Sequence, residues 1–277
     1  MNGSVTLPRP LPVALDAMGG DYGAGVVVEG AVDASRKLGI PSILVGDEKE
    51  IRSHLIRLGA QSDKGVQVRH ASQAISMDES PAKAIRLKPQ ASIGIAFELV
   101  RDGHACGVVS PGNTGAMMAA GLFISGTISG IARPAIASLV PRAGNLPPTI
   151  LLDSGANIDC HAYQLVQFAL MGSFYARSAI PCESPRVALL SNGTELAKGN
   201  DIIRSAAMIL SEIDDLNFIG YVEGRDVVRN AADVVVCDGF IGNIVLKTIE
   251  GSAELVVDSI RGHVEKSWLG RFGMRLV

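Results

Sequence analysis

Short apolar runs rich in β-branched residues alternate with longer segments of helical periodicity along almost the whole chain. This alternation predicts an α/β fold in which right-handed crossovers join parallel strands and helices cover both faces of the sheet. The predicted strands are residues 13–16, 42–45, 66–69, 107–110, 136–140, 149–153, 186–190, 217–220 and 234–237. The predicted helices are residues 25–37, 49–58, 80–86, 92–101, 114–123, 164–177, 199–212 and 243–264.

Composition agrees with a buried parallel sheet. Of 277 residues, 47% are hydrophobic and 19% are charged, which disfavours disorder. This length allows one large α/β domain or two lobes. The stretch 141–148, rich in proline and glycine, predicts a hairpin turn between adjacent strands rather than a domain boundary.

Charge and cysteine usage restrict the classes of partner and compartment. A net charge of −3 provides no overall basic field, so we expect no nucleic-acid partner. The four cysteines form no CxxC pair, and residues 1–12 contain no secretory signal, which predicts reduced thiols in the cytoplasm. Residues 105–132 lack charge over a membrane-spanning length, but Pro111 and several glycines interrupt them. We interpret that stretch as strand, turn, buried helix and loop.

Glycine and asparagine recur together at four predicted strand-to-helix turns. These turns are residues 110–115, 153–157, 191–195 and 238–243. Such turns present backbone N–H groups, and the helix dipole favours an anion there. Because parallel strands end on one side of a sheet, the turns predict a crevice for a phosphate-sized ligand. The alternative is that glycine and asparagine are ordinary turn and capping residues here.

The usual nucleotide and metal motifs are missing. There is no GxGxxG after the first strand, no GxxxxGK[ST] and no GxSxG, which disfavours a dehydrogenase or a kinase. Asp159-Cys160-His161 is a tight cluster of metal-ligand types, but consecutive residues on a regular element do not converge on one ion. We therefore expect no metal and no cofactor.

Two further features suggest site residues. Asp16 ends the first strand and is followed by Gly19 and Gly20, which places a carboxylate and a flexible turn at the crevice. Asp21 would alternatively cap the next helix. Lys198 stands beside a glycine turn, where it can reach an anion as a point charge, although a lone loop lysine is commonly solvated.

These motifs together resemble the bacterial phosphate acyltransferase family. The matching segments are Asp16-Ala-Met-Gly-Gly-Asp21, Gly112-Asn-Thr-Gly115, Gly155-Ala-Asn157, Gly193-Thr-Glu195 with Lys198-Gly-Asn200, and Asp238-Gly-Phe-Ile-Gly-Asn243. The resemblance extends over nearly the whole chain. It implies transfer of an acyl group from acyl–acyl-carrier-protein to inorganic phosphate, which yields acyl phosphate for phospholipid synthesis.

The resemblance also implies the architecture and the partners. The fold would be a three-layer α/β/α sandwich related to isocitrate dehydrogenase and phosphotransacetylase. The protein would be a cytoplasmic homodimer that associates peripherally with the membrane and with a downstream glycerol-3-phosphate acyltransferase. Because the family continues past residue 277 with further glycine-rich segments, residues 1–277 are interpreted as one catalytic domain without the family's C-terminal segment.

By the same resemblance, Lys198 and Asn243 are the expected catalytic residues, and the glycine and asparagine turns supply the substrate contacts. The expected phosphate and substrate residues are Asp16, Gly19, Gly20, Asn113, Thr114, Gly115, Asp153, Asn157, Thr194, Asp238 and Gly239. Lacking an activated serine or cysteine, the chain is expected to use direct phosphate attack on the thioester. Asn113, Lys198 and Asn243 would share one anion site. A coenzyme A thioester as donor and a non-catalytic binding protein remain alternatives.

Residues 255–276 place apolar side chains at helical spacing between basic residues. This pattern predicts a helix that pairs across a homodimer and presents an apolar, basic-flanked surface to an anionic membrane. Core packing of the apolar face is the alternative.

Overall fold

The computed structural model describes residues 10–144, 146–180, 182–195 and 197–266. The chain divides into two compact units, Met1–Pro134 and Ala135–Val277. Each unit has its own β-sheet. The chain length is compatible with one domain or two lobes, and the structure has two compact units. That residues 1–277 form one catalytic domain without the family's C-terminal segment stays a prediction.

Unit 1 is built on a parallel sheet in the order β3-β2-β1-β4. Its strands are β1 (Val13–Asp16), β2 (Ser42–Gly46), β3 (Val66–His70) and β4 (Gly107–Val109). Its helices are α1 (Ala24–Asp33), α2 (Glu48–Arg57), α3 (Pro81–Leu87), α4 (Ser92–Arg101) and α5 (Thr114–Ala120). Alternate side chains of the sheet are buried against α1 and α2 on one face and against α4 on the other.

Unit 2 is built on a five-stranded sheet in the order β5-β6-β9-β7-β8. Its strands are β5 (Ala137–Val140), β6 (Thr149–Leu152), β7 (Val187–Leu190), β8 (Phe218–Val222) and β9 (Val234–Val236). Strand β5 is antiparallel to β6, so the hairpin predicted at 141–148 is confirmed, and the other pairings are parallel. Helices α6 (Ala162–Ala179) and α7 (Asp201–Ser211) cover one face, and α8 (Gly239–Lys266) covers the other.

Each unit is therefore an α/β/α sandwich with a mostly parallel sheet, which confirms the predicted fold class. Every predicted strand and helix is present; β1 and α4 have their predicted bounds, and the other elements have shifted ends. Helices α1 and α5 continue into π-helical turns at Ala34–Leu38 and Gly121–Ser125. Asp21 does not cap α1, whose N-cap is Gly23.

An ion cluster ties together the loops opposite the carboxyl ends of the unit 2 strands. Asp233 accepts hydrogen bonds from Arg186 and Arg142, and the Arg142 side chain is almost completely buried. Burial alone would raise the pKa of Asp233, but the hydrogen bonds from Arg186 and Arg142 lower it below its ordinary value. The cluster stabilises unit 2 only while Asp233 is ionised.

Helix α8 has two different halves. Its first half packs on the sheet through Val245, Leu246 and Ile249, whereas residues 250–261 are all exposed. More than half of the surface of four apolar side chains there is exposed, namely Leu255, Val256, Val257 and Ile260. Within the described residues, no helix is both long enough and apolar enough to cross a membrane. The predicted helical stripe is confirmed up to Val264, and Trp268, Leu269 and Phe272 lie outside the described residues.

Candidate active site

The carboxyl ends of β6, β9 and β7 lie side by side in unit 2. Leu152, Val236 and Leu189 are paired across these strands, so the loops that follow them emerge at the same edge. Neighbouring strands are roughly 5 Å apart, which places the loops after β6 and β7 about 10 Å from each other. Predicted site residues come from all three loops.

Asp153 is fully buried and fixes the loop after β6. Its Oδ1 accepts hydrogen bonds from the backbone N–H groups of Ile136, Gly155 and Ala156 at 3.0–3.1 Å. Its Oδ2 accepts from the backbone N–H of Asn157 at 2.7 Å and from Asn157 Nδ2 at 2.8 Å. Both oxygens therefore hold the turn, and contact of Asp153 with the substrate stays a prediction.

The first turn of α8 rests on this loop through two glycines. The N–H of Gly239 donates to the carbonyl oxygen of Asn157 at 2.7 Å. At Gly242 a Cβ would overlap the carbonyl oxygen of Asp153, so only glycine permits the approach. Asp238 caps α8 by accepting from the N–H of Ile241 at 2.9 Å. This carboxylate occupies the positive end of the helix and disfavours an anion at that point.

Asn243 follows in the second turn of α8 and lies beside Gly155. A Cβ on Gly155 would stand 3.8 Å from Asn243 Oδ1, which places the amide directly over the loop that Asp153 holds. The Asn243 side chain is exposed and forms no hydrogen bond within the described residues. Its amide is therefore available to a ligand.

Lys198 occupies the loop after β7. Its N–H donates to the Glu195 carbonyl oxygen at 2.9 Å, and its stem crosses Gly193, where a Cβ would lie 2.8 Å from Lys198 Cγ. Among the described residues, the Lys198 ammonium group makes no ion pair or hydrogen bond. Thr194 in the same loop is likewise exposed and uncommitted, whereas Asn192 accepts from the N–H of Gly199 at 3.0 Å.

The Cys237 thiol is not an activated nucleophile. Cys237 ends β9, and burial together with the nearby carboxylates of Asp238 and Asp153 raises the pKa of its thiol well above its ordinary value. Its Sγ lies 3.4 Å from the carbonyl oxygen of Asp153. The thiol is therefore neutral near pH 7.

A cleft of about 630 Å³ opens next to these loops. Its lining comes entirely from unit 2: the loop before α6, the floor formed by Leu165 and Leu190, and the first turns of α7 and α8. Asn200 and Asp238 lie on its wall, but each is used as a helix cap. No signal in the sequence indicated this cleft, because its walls come from segments far apart along the chain.

Unit 1 holds a separate group of predicted site residues at the ends of β1 and β4. Asp16 is buried and accepts from Ser110 Oγ at 2.7 Å and from the N–H of Met18 at 3.2 Å. Gly19 approaches so closely that a Cβ would lie 2.8 Å from the backbone nitrogen of Gly112. Asp16 therefore organises two turns, as Asp153 does in unit 2.

The remaining predicted residues of unit 1 surround the start of α5. The Asn113 side chain caps this helix, since its Oδ1 accepts from the N–H of Ala116 at 3.0 Å, and its Nδ2 donates to the carbonyl oxygen of Met77 at 3.0 Å. Gly115 packs against Pro81, Thr114 begins the helix, and Gly20 packs against Pro111. The Asn113 side chain is therefore a helix cap, which is the alternative given above for asparagine in these turns. An anion site that Asn113 shares with Lys198 and Asn243 stays a prediction.

Comparison with known proteins gives the family. The profile of the family described as "Fatty acid synthesis protein" matches residues 11–277. The chain belongs to this family. A phosphate acyltransferase of Trichlorobacter lovleyi is 48% identical over 261 residues, which are 94% of this chain and 74% of that protein. A phosphate acyltransferase of Geobacter sulfurreducens is 47% identical over 265 residues, or 96% and 75% of the two chains.

Comparison with solved structures concerns the fold of this chain. A phosphotransacetylase from Streptococcus pyogenes superposes with a TM-score of 0.67 at 21% identity, and covers 90% of this chain and 83% of its own. A branched-chain phosphotransacylase from Enterococcus faecalis gives a TM-score of 0.56 at 15% identity, with coverage of 87% and 84%. At these identities the likeness concerns the fold, and it confirms the predicted phosphotransacetylase-like architecture.

Proposed function

We propose that this chain is an acyltransferase that transfers a fatty acyl group from acyl–acyl-carrier-protein to inorganic phosphate. The names of its relatives in the fatty acid synthesis protein family support this reaction class. The observation that carries the assignment of residues is the contrast within unit 2. The Asp153 and Asp238 carboxylates are committed to holding backbone, whereas Lys198 and Asn243 present uncommitted polar groups.

The chemistry requires an anion site and a donor for the developing oxyanion. Lys198 holds hydrogen phosphate as a point charge, and Asn243 Nδ2 donates to the thioester oxygen. A phosphate oxygen bonds to the carbonyl carbon, the carbon–sulfur bond breaks, and the leaving thiolate takes the phosphate proton. Acyl phosphate and the free carrier thiol result. Because phosphate is already anionic near neutral pH, no strong base is needed.

The other predicted residues support this arrangement to different degrees. Asp153, Asn157, Asp238 and Gly239 position the loop and the helix that carry Asn243. Thr194 is an additional phosphate ligand in this proposal, since it shares the Lys198 loop. Asp16, Gly19, Gly20, Asn113, Thr114 and Gly115 of unit 1 stay predicted substrate residues.

Phosphate-dependent release of thiol distinguishes the possible functions. The chain is incubated with acyl–acyl-carrier-protein or with acyl-coenzyme A, with and without phosphate, and free thiol and acyl phosphate are measured. Release from the carrier protein alone supports the proposal. Equal or greater release from coenzyme A would assign the chain to phosphotransacetylase-like chemistry, and binding without release would indicate a non-catalytic protein.

We further propose that the exposed half of α8 pairs across a homodimer and contacts the cytoplasmic membrane surface, where a downstream glycerol-3-phosphate acyltransferase would use the product. Leu255, Val256, Val257 and Ile260 support this, because a helix rarely exposes so many large apolar side chains close together without a partner. Leu255→Glu should lower co-sedimentation with anionic liposomes, whereas Met208→Glu, on exposed α7 surface, should not. Equal bound fractions for both variants would remove α8 from membrane contact, and sedimentation velocity tests the dimer.

A further inference from the structure

The lining of the 630 Å³ cleft in unit 2 is apolar over most of its surface. Leu165, Leu190 and Ile203 form its deeper part, and Ile158, Ile202 and Phe240 stand near its mouth. No lysine or arginine lines it in the described part of the chain, while Asp159 and Asp238 do. These carboxylates would repel a phosphate group, so the cleft suits an apolar chain rather than a phosphate group.

The cleft adjoins the proposed reaction centre on two elements. Asn200 lines it two residues after Lys198, and Ile241 lines it two residues before Asn243. A chain bound in the cleft therefore lies against the same two segments that carry the amide and the ammonium group. The cavity has the size typical of sites that enclose a small ligand.

We propose that this cleft takes the fatty acyl chain of the substrate. The proposal rests on the proposed acyl transfer, because it places the thioester carbonyl at the mouth and the hydrocarbon tail inside. The exposure of Ile158 and Phe240 fits this use, since a bound chain would cover both side chains. Chain-length preference then follows from the depth of the cleft.

Binding of saturated fatty acids tests the cleft without requiring turnover. Octanoate, dodecanoate and hexadecanoate are titrated into the full chain by calorimetry. Each added methylene should tighten binding about fourfold until the cleft is filled. Ile202→Gln should weaken binding of dodecanoate about 4- to 16-fold, which corresponds to one or two methylene contacts.

A matched control lies two turns further along the same helix. Ile202 is 40% exposed and Ile209 is 44% exposed, both belong to α7, and only Ile202 lines the cleft. Ile209→Gln should therefore leave the affinity unchanged. If Ile202→Gln alters the circular dichroism spectrum, Ile158→Gln replaces it, since Ile158 is exposed in a loop.

Equal affinities for wild type, Ile202→Gln and Ile158→Gln would overturn the proposal. A change in sedimentation coefficient caused by Ile202→Gln would assign the cleft to a second copy of the chain and would also overturn it. Phosphate-dependent thiol release, measured on the same samples, separates the two ideas. If thiol is released but Ile202→Gln does not change fatty acid affinity, only the acyl cleft is refuted. If fatty acids bind with a dependence on chain length but no thiol is released, the proposed reaction is refuted and the cleft remains a site for an alkyl chain.

Discussion

Replacement of Asp153 by asparagine should destabilise unit 2 by about 3–6 kcal/mol. The carboxylate accepts five hydrogen bonds, and asparagine retains one acceptor oxygen. If that oxygen keeps the three bonds of Oδ1, the new NH₂ group faces the two donors of Asn157 that Oδ2 accepted. Two buried bonds to a charged acceptor are lost, each worth about 1.5–3 kcal/mol.

Hydrogen exchange reports on unit 2 by itself. Native-state hydrogen exchange of peptides from β6 and β9, followed by mass spectrometry, measures the free energy of opening of unit 2. This free energy should be about 3–6 kcal/mol lower in Asp153→Asn than in wild type. Asp214→Asn is the control, since Asp214 is exposed in the same unit, and its effect should stay within about 0.5 kcal/mol. A loss below about 1 kcal/mol in Asp153→Asn would refute the reasoning, because the five bonds would then not hold the loop.

Four other substitutions test separate parts of unit 2. Lys198→Ala and Asn243→Ala should each lower phosphate-dependent turnover by a factor that corresponds to about 2–4 kcal/mol of lost transition-state stabilisation. Their thermal unfolding should be unchanged, because both side chains are exposed and make no hydrogen bond or ion pair within the described residues. Gly242→Ala should lower the melting temperature, since its Cβ overlaps backbone. The difference in unfolding free energy between wild type and Asp233→Asn should have its full size above about pH 5. It should shrink as the pH falls through the lowered pKa of Asp233, and the midpoints of urea denaturation at different pH values measure it.

Matched variants separate these effects from non-specific ones. Lys64→Ala removes an exposed lysine of unit 1 and should leave turnover unchanged. Gly251→Ala lies in the same helix as Gly242 with open space around it and should be neutral or stabilising. Wild-type turnover in Lys198→Ala would remove that residue from the mechanism. An equal effect of the two glycine changes would contradict the close approach, and a pH-independent difference for Asp233→Asn would contradict the ion cluster.

The strands could be predicted because each is a short apolar run rich in β-branched residues, and such a composition by itself indicates a buried strand. Helix ends were less predictable. Helix α6 begins at Ala162 because Gln164 Oε1 accepts from the N–H of His161, and α8 begins at Gly239 although glycine usually marks a turn. The latter start is visible only once the contact of Gly242 with the loop after β6 is known.

The positions of the turns that form the site could be predicted, but not which of their residues hold the backbone and which present a polar group to a ligand. The pattern of glycine, asparagine and aspartate indicated where the loops lie. Asp153 cannot be recognised as an anchor from sequence, because its partners are mostly backbone N–H groups, which every residue except proline possesses. Likewise, the sequence alone could not separate Asn113, which is a helix cap, from Asn243, which is not.

The geometry of α8 has a mechanical consequence. Asn243 lies one residue from the point where Gly242 presses on the sheet edge, and Leu255 lies about 18 Å further along the axis. Because Val245, Leu246 and Ile249 also pack on the sheet, bending of the exposed half begins beyond Ile249 and leaves Asn243 in place. Gly251, between them, gives the rod a compliant point. The far half of α8 can therefore bend at Gly251 while the Asn243 amide keeps its place.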